Sequence, residues 1–193
     1  MTIKRVCVFC ASSPKVDQYY LDQATQLGKI LAQKDIAMNY GGGEIGLMGA
    51  AANAMLSNKG SVRGVIPQFM VEVEWAHKGV EDMVITQTMA ERKQLLVEGV
   101  DAIIVLPGST GTLEELAEVL SNKKLGLFNK PIVIVNAKGF YTPLIKMLKL
   151  MIEENFMTGE NAKLWIEIPS IENIVEVISQ ELRDSKTTNN SIL

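Results

Sequence analysis

Hydrophobic positions along this 193-residue chain fall into two alternating patterns. Short, β-branched runs are almost continuously apolar: "RVCVF", "IAMNY", "SVRGVIP", "MVIT", "AIIVLP", "PIVIVN" and "WIEIP". Between most of them lie longer stretches in which apolar residues return every three or four positions, such as "DQYYLDQATQLGKILAQK", "TLEELAEVLSN" and "IENIVEVISQELRD". The first pattern is that of strands buried on both faces, the second that of amphipathic helices. Strands of this kind, each followed by a helix, need cover on both sides of a parallel sheet. The chain is therefore expected to be α/β: a Rossmann-like, doubly wound, mostly parallel sheet with helices on both faces. Residues 67–82 interrupt the alternation with a longer, less regular stretch. One domain over residues 1–183 is expected, followed by a polar, flexible tail, "DSKTTNNSIL", over 184–193.

Composition narrows the function classes. Hydrophobic residues make up 47% and charged residues 21%, as in an ordinary globular chain, and the formal charge is −3. That balance gives no general attraction for nucleic acid or for anionic membranes, and neither is expected as a partner. No run approaches the roughly 18 apolar residues of a membrane span. The N-terminal "MTIKRVCVFC" enters a strand with no apolar leader before it, so a cytoplasmic protein is expected. Cys7 and Cys10 are spaced C-x-x-C, but within a strand such positions face opposite sides, so both are read as buried small residues. His77 is the only histidine, which leaves no histidine triad and no multi-histidine metal site; no metal is expected.

The chemistry gathers where strands hand over to helices, the place where open α/β sheets bind ligands. Three such turns are rich in small residues: "CASSP", "GGGEIGLMG" and "PGSTGTLEE". "GGGEIG" matches G-x-G-x-x-G formally, yet it follows the second strand and the next strand ends without an acid. Arg63 there leaves an NADP site open, beside the plainer reading of a tight turn and close helix packing. In "PGSTGTLEE", Gly108 and Gly111 allow close approach of a ligand, and the amides of Ser109 to Leu113 would meet at a helix N-terminus that favours an anion. The hydroxyls of Ser109, Thr110 and Thr112 add donors. The same residues also form a legal capping box, Thr112 as N-cap and Glu115 three residues on, which would put both carboxylates on the first turn. In "TMAERKQLL", Met89, Arg92, Lys93 and Leu96 share one helix face, so Arg92 sits on the inward stripe. There it either meets an anion or extends along its stem to water.

Taken in order and spacing, "VCVFCASSP", "YGGGEIGLMGAAA", "VIP", "MAERK" and "LPGSTGTLEEL" resemble the LOG family, cytokinin riboside 5′-monophosphate phosphoribohydrolases once commonly labelled lysine decarboxylases. The resemblance covers about residues 4–180. It implies hydrolysis of the N-glycosidic bond of a nucleoside 5′-monophosphate, a Rossmann-like fold, a homodimer, and no cofactor, pyridoxal phosphate included. Position by position it implies Arg92 and Glu115 as the catalytic pair. It implies substrate contacts at Lys93, along the motif loop of Gly108, Ser109, Thr110, Gly111, Thr112, Leu113 and Glu114, and at Glu74 and Ser121. Two positions depart from the family pattern: Ser109 replaces a glycine and must keep clear of φ > 0, and Ala90 replaces a histidine. Three other readings compete: a broader nucleosidase acting mainly on AMP, a non-catalytic carrier of a nucleotide or molybdenum cofactor, and, more distantly, an NADP oxidoreductase.

Overall fold

The computed structural model describes residues 2–71 and 76–190, with side chains to Ser185. Seven strands form a single sheet: β1 (Arg5–Phe9), β2 (Ala37–Tyr40), β3 (Val62–Pro67), β4 (Asp82–Thr86), β5 (Ala102–Val105), β6 (Ile132–Val135) and β7 (Ile166–Ile168). Their order is β4-β3-β2-β1-β5-β6-β7. Every strand pairing is parallel, so the sheet exceeds the expected "mostly parallel"; the one antiparallel pair among the described residues is an isolated bridge between Gly43 and Ala76. The chain runs outward from β1 to β4, then returns to the other side of β1 with β5. The order therefore reverses between β1 and β5, and the loops leaving these strands flank the crevice.

Residue alternation divides the core in two. Val6 and Val8 of β1 face one layer with α1 (Gln18–Gln33), α2 (Gly46–Ser57) and α7 (Ile174–Asn190), through Leu27, Leu31, Ala51, Met55 and Ile178. Cys7 and Phe9 face the other, with α4 (Met89–Val97), α5 (Thr110–Lys124) and α6 (Thr142–Glu153), through Leu96, Leu116, Val119 and Ile145. Cys7 and Cys10 lie in opposite layers, both buried and both free, as period-two alternation requires. The irregular stretch holds one short helix, α3 (Gln68–Val71). Helix α7 continues to Asn190, into the polar C-terminal segment. Among the described residues no helix is long and apolar enough to cross a membrane.

Candidate active site

The three small-residue turns come together at the carboxyl edge of the sheet. The Ala11 amide donates to the Pro107 carbonyl (3.2 Å), and the Met48 amide donates to the Ala11 carbonyl (3.2 Å). The loop after β1 thus lies between the glycine turn after β2 and the motif loop after β5. The Tyr141 hydroxyl donates to the Leu106 carbonyl (2.8 Å), fixing the end of β5 from below.

Helix α4 is secured at both ends, which sets Arg92 in place. Thr88 caps it by accepting from the Glu91 amide (3.1 Å), and the Glu91 carboxylate accepts from the Gln87 amide (2.9 Å). At the other end Asn39 of β2 donates to the Leu96 carbonyl (3.0 Å). Arg92 is 5% exposed and points inward, so extension along its stem to water does not occur. Its Nε donates to the Val65 carbonyl (3.1 Å), and its Nη1 donates to Glu115 Oε1 (2.6 Å). The inward stripe is narrower than the sequence suggests: Met89 is exposed, and Arg92 with Leu96 carries the buried face.

Glu115 is 6% exposed, and burial pushes its carboxyl above the ordinary value, with the Arg92 charge acting against that rise. The carboxylate borders a cleft of ≈ 300 Å³ between α4 and α5, floored by Phe9 and edged by Ala90, Lys93 and Glu118. The departure from the family's histidine, Ala90, leaves a small side chain at the rim of this cleft.

The capping box at α5 is overturned. The N-cap is Ser109, whose side chain makes no capping bond, and α5 begins at Thr110 with no acid in its first turn. Thr112 is inside the helix and buried, and Glu115 lies one turn further on, aimed into the protein toward Arg92. The first intrahelical bond runs from the Leu113 amide to the Ser109 carbonyl (3.0 Å), which takes Leu113 out of the expected anion cradle and leaves the amides before it. Ser109 has φ −91° and ψ −164°, extended backbone that a serine adopts without strain. Gly108 is needed for closeness: a Cβ there would lie 2.1 Å from Thr112 Oγ1. Thr110, Gly111 and Leu113 are exposed at the helix start, open to a ligand.

The remaining expected residues divide. Lys93 forms ion pairs with Glu114 and with Glu118 (2.5 Å each), which hold its ammonium above the ordinary value and tie α4 to α5. Ser121 is exposed and donates to the Ala117 carbonyl (2.8 Å); it borders an apolar groove between α5 and α6, not the cleft that Glu115 borders. Glu74 lies outside the described residues. The glycine turn is used for packing: Gly42 and Gly46 have φ of +82° and +65°, and a Cβ at Gly46 would lie 2.5 Å from the Ser12 backbone. Arg63 is paired with Asp82 (2.8 Å) on the sheet's outer strands. Two contributors escaped the sequence reading. A Cβ at Gly41 would lie 2.5 Å from Arg92 Nη2, so this glycine makes the seat of the guanidinium. Glu118 follows Glu114 at i+4, a spacing that was visible in "EELAE". Among the described residues no group of three or more histidine, cysteine or acidic side chains could hold a metal ion.

The fold and the strand-end site define a class of Rossmann-like α/β proteins, and solved structures of that fold superpose well. The molybdenum cofactor carrier protein of Chlamydomonas reinhardtii matches with a TM-score of 0.71 at 19% identity, covering 94% of this chain and 99% of that one. The molybdenum cofactor binding protein of Rippkaea orientalis matches with a TM-score of 0.69 at 22% identity, over 94% and 99%. The profile of a family described as "possible lysine decarboxylase" matches residues 48–178. The cytokinin riboside 5′-monophosphate phosphoribohydrolase of Rhodococcoides fascians is 38% identical over 178 residues, 92% of this chain and 90% of that protein. The enzyme of the same name from Oryza sativa subsp. japonica, LOG, is 36% identical over 172 residues, 89% and 71% respectively. The chain belongs to this family, the LOG family.

Proposed function

We propose that the protein hydrolyses the N-glycosidic bond of nucleoside 5′-monophosphates, releasing the free base and ribose 5-phosphate. The observation that carries the proposal is the buried Arg92–Glu115 pair, set between a cleft and an open helix N-terminus at the carboxyl edge of the sheet. Water adds to C1′ of the ribose as the bond to the base breaks, and the base leaves with a proton. The sugar passes through an oxocarbenium-like state whose positive charge a fixed carboxylate stabilises. Glu115 is that carboxylate, and it also orients the attacking water. Arg92 favours its ionised form and holds it in one rotamer through the 2.6 Å contact. The free amides of α5 and the hydroxyls of Ser109 and Thr110 take the 5′-phosphate, far from the scissile bond. Lys93 exchanges a carboxylate partner for that phosphate. No cofactor enters the scheme.

Cytokinin riboside 5′-monophosphate and AMP both fit this chemistry, because neither contact above reads the base. A homodimer completes the reading, with the α5–α6 face as the contact and Ser121 within it. Two free thiols suit a reducing, cytoplasmic setting. Incubation with a panel of nucleoside monophosphates, followed by chromatography, should show free base and ribose 5-phosphate in equal amounts. Binding without base release would favour a carrier instead.

A further inference from the structure

His77 is the chain's only histidine, it is 6% exposed, and the reaction above gives it no task. Its ring and backbone are nonetheless fully engaged. The Gly79 amide donates to Nδ1 (3.1 Å), which leaves the ring proton on Nε2, and Nε2 donates to Asn53 Oδ1 of α2 (3.1 Å). The His77 amide donates to the Gly42 carbonyl (3.0 Å), and the preceding Ala76 pairs with Gly43. The imidazole therefore joins residues 76–80 to α2, while the backbone beside it grips the glycine turn between β2 and α2. The first residue of that turn, Gly41, is the one whose missing side chain seats the Arg92 guanidinium.

We propose that the His77 ring is a positioning group for the catalytic arginine: by tying residues 76–80 to α2 it fixes the backbone of Ala76 and His77 that clamps the glycine turn, the wall against which Arg92 Nη2 rests. The inference builds on the role of Arg92 and Glu115 given above. A turn free to move by up to about 1 Å would let the guanidinium drift from Glu115. Misplacement of a catalytic group on that scale lowers turnover without removing any substrate contact.

His77→Ala removes both ring bonds, and His77→Gln restores a donor toward Asn53. Should His77→Ala not fold, Asn53→Ala severs the same link from the other side. Two readouts are needed: kcat and KM on nucleoside monophosphate, and the titration midpoint of the Glu115 carboxyl by ¹³C NMR, assigned by its loss in Glu115→Gln. The charges acting on Glu115 are those of Arg92, Glu114 and Lys93; His77 is not one of them. Its removal can reach the carboxyl midpoint only through the geometry of that set. In folded His77→Ala, kcat should fall roughly ten- to a hundredfold with KM little changed. The Glu115 midpoint should move further up as Arg92 recedes, and His77→Gln should recover part of both. An unmoved midpoint in a folded variant overturns the proposal, whether or not kcat falls. A wild-type protein that cleaves no nucleotide would refute the proposed function, yet the midpoint would still decide the role of His77.

Discussion

Two opposing effects meet at Glu115: burial drives its carboxyl toward the neutral form, and Arg92 at 2.6 Å drives it toward the ionised one. Burial prevails, so the midpoint lies above the ordinary carboxylate value. A carboxylate that stabilises a cationic sugar must be ionised. Activity should therefore rise with pH through that elevated midpoint, and a log(kcat/KM) profile should show its acid limb there. A limb falling with rising pH would make Glu115 a proton donor instead. Glu115→Gln keeps an acceptor for Arg92 and should abolish base release in a protein that stays folded, as circular dichroism would check. Arg92→Ala should also abolish it, but leaves a buried carboxylate without its partner, a loss of about 3–5 kcal/mol in such pairs; denaturant titration should place it well below Glu115→Gln. Gly41→Ala tests the seat itself. Its backbone lies outside the positive-φ region, so the added methyl acts through space, first on Arg92 Nη2 at 2.5 Å and then on the flexible end of Met48 at 3.0 Å, and turnover should fall in an otherwise folded protein. Wild-type turnover in Gly41→Ala would mean that the guanidinium has room to spare. Arg92 was legible in the sequence because one helix face can be read from i, i+3, i+4 spacing. Gly41 was not, since its nearness to Arg92 depends on how α4 crosses the end of β2.

Among the elements, α5 carries most of the proposed chemistry, and its boundary was the hardest to read. Thr112 and Glu115 satisfy the spacing of a capping box, yet Ser109 three residues earlier satisfies the requirement for an N-cap residue in extended backbone. The close contact of Gly108 with Thr112 draws Thr112 inside the helix, and with it the carboxylates into the second turn. The consequence is functional, because the first turn now holds no negative charge to repel a phosphate. Activity should then depend on the 5′-phosphate. Charge-assisted hydrogen bonds contribute about 1.5–3 kcal/mol each. Two of them, spent on orienting the ribose against Glu115, correspond to a kcat/KM for AMP at least about a hundredfold above that for adenosine. Gly108→Ala should lower the AMP value toward the adenosine one, because the new methyl and Thr112 cannot both occupy their places. Equal cleavage of AMP and adenosine by the wild-type enzyme would reduce the loop to a helix cap.

For the whole molecule, strand and helix alternation was enough to give the α/β class, because a strand apolar on both faces has few ways to be covered. It could not give the strand order, which depends on crossover direction, nor which helices lie on the outside. That second point bears on assembly. Periodicity marks Leu144, Met147, Leu148, Met151 and Ile152 as an apolar face of α6 too broad for one sheet. In the fold, Leu144 and Leu148 pack toward the core, and Met147 and Leu150 remain 51% and 45% exposed. Phe156, 78% exposed, lines an apolar groove of ≈ 490 Å³ between α5 and α6 together with Leu113, Leu148 and Met151, and Leu125 and Leu127, just past the end of α5, are 70% and 76% exposed. Large apolar side chains grouped in this way mark an interface more often than a free surface. A two-fold pairing places the same patch on both copies, and a stable one covers about 800 Å² on each. Size-exclusion chromatography with light scattering at micromolar concentration should return about twice the chain's 21.2 kDa. Phe156→Glu, which puts a charge in the patch and touches no proposed catalytic group, should shift the protein toward the monomer. A wild-type monomer under these conditions would assign the patch to another partner and remove Ser121 from any shared site.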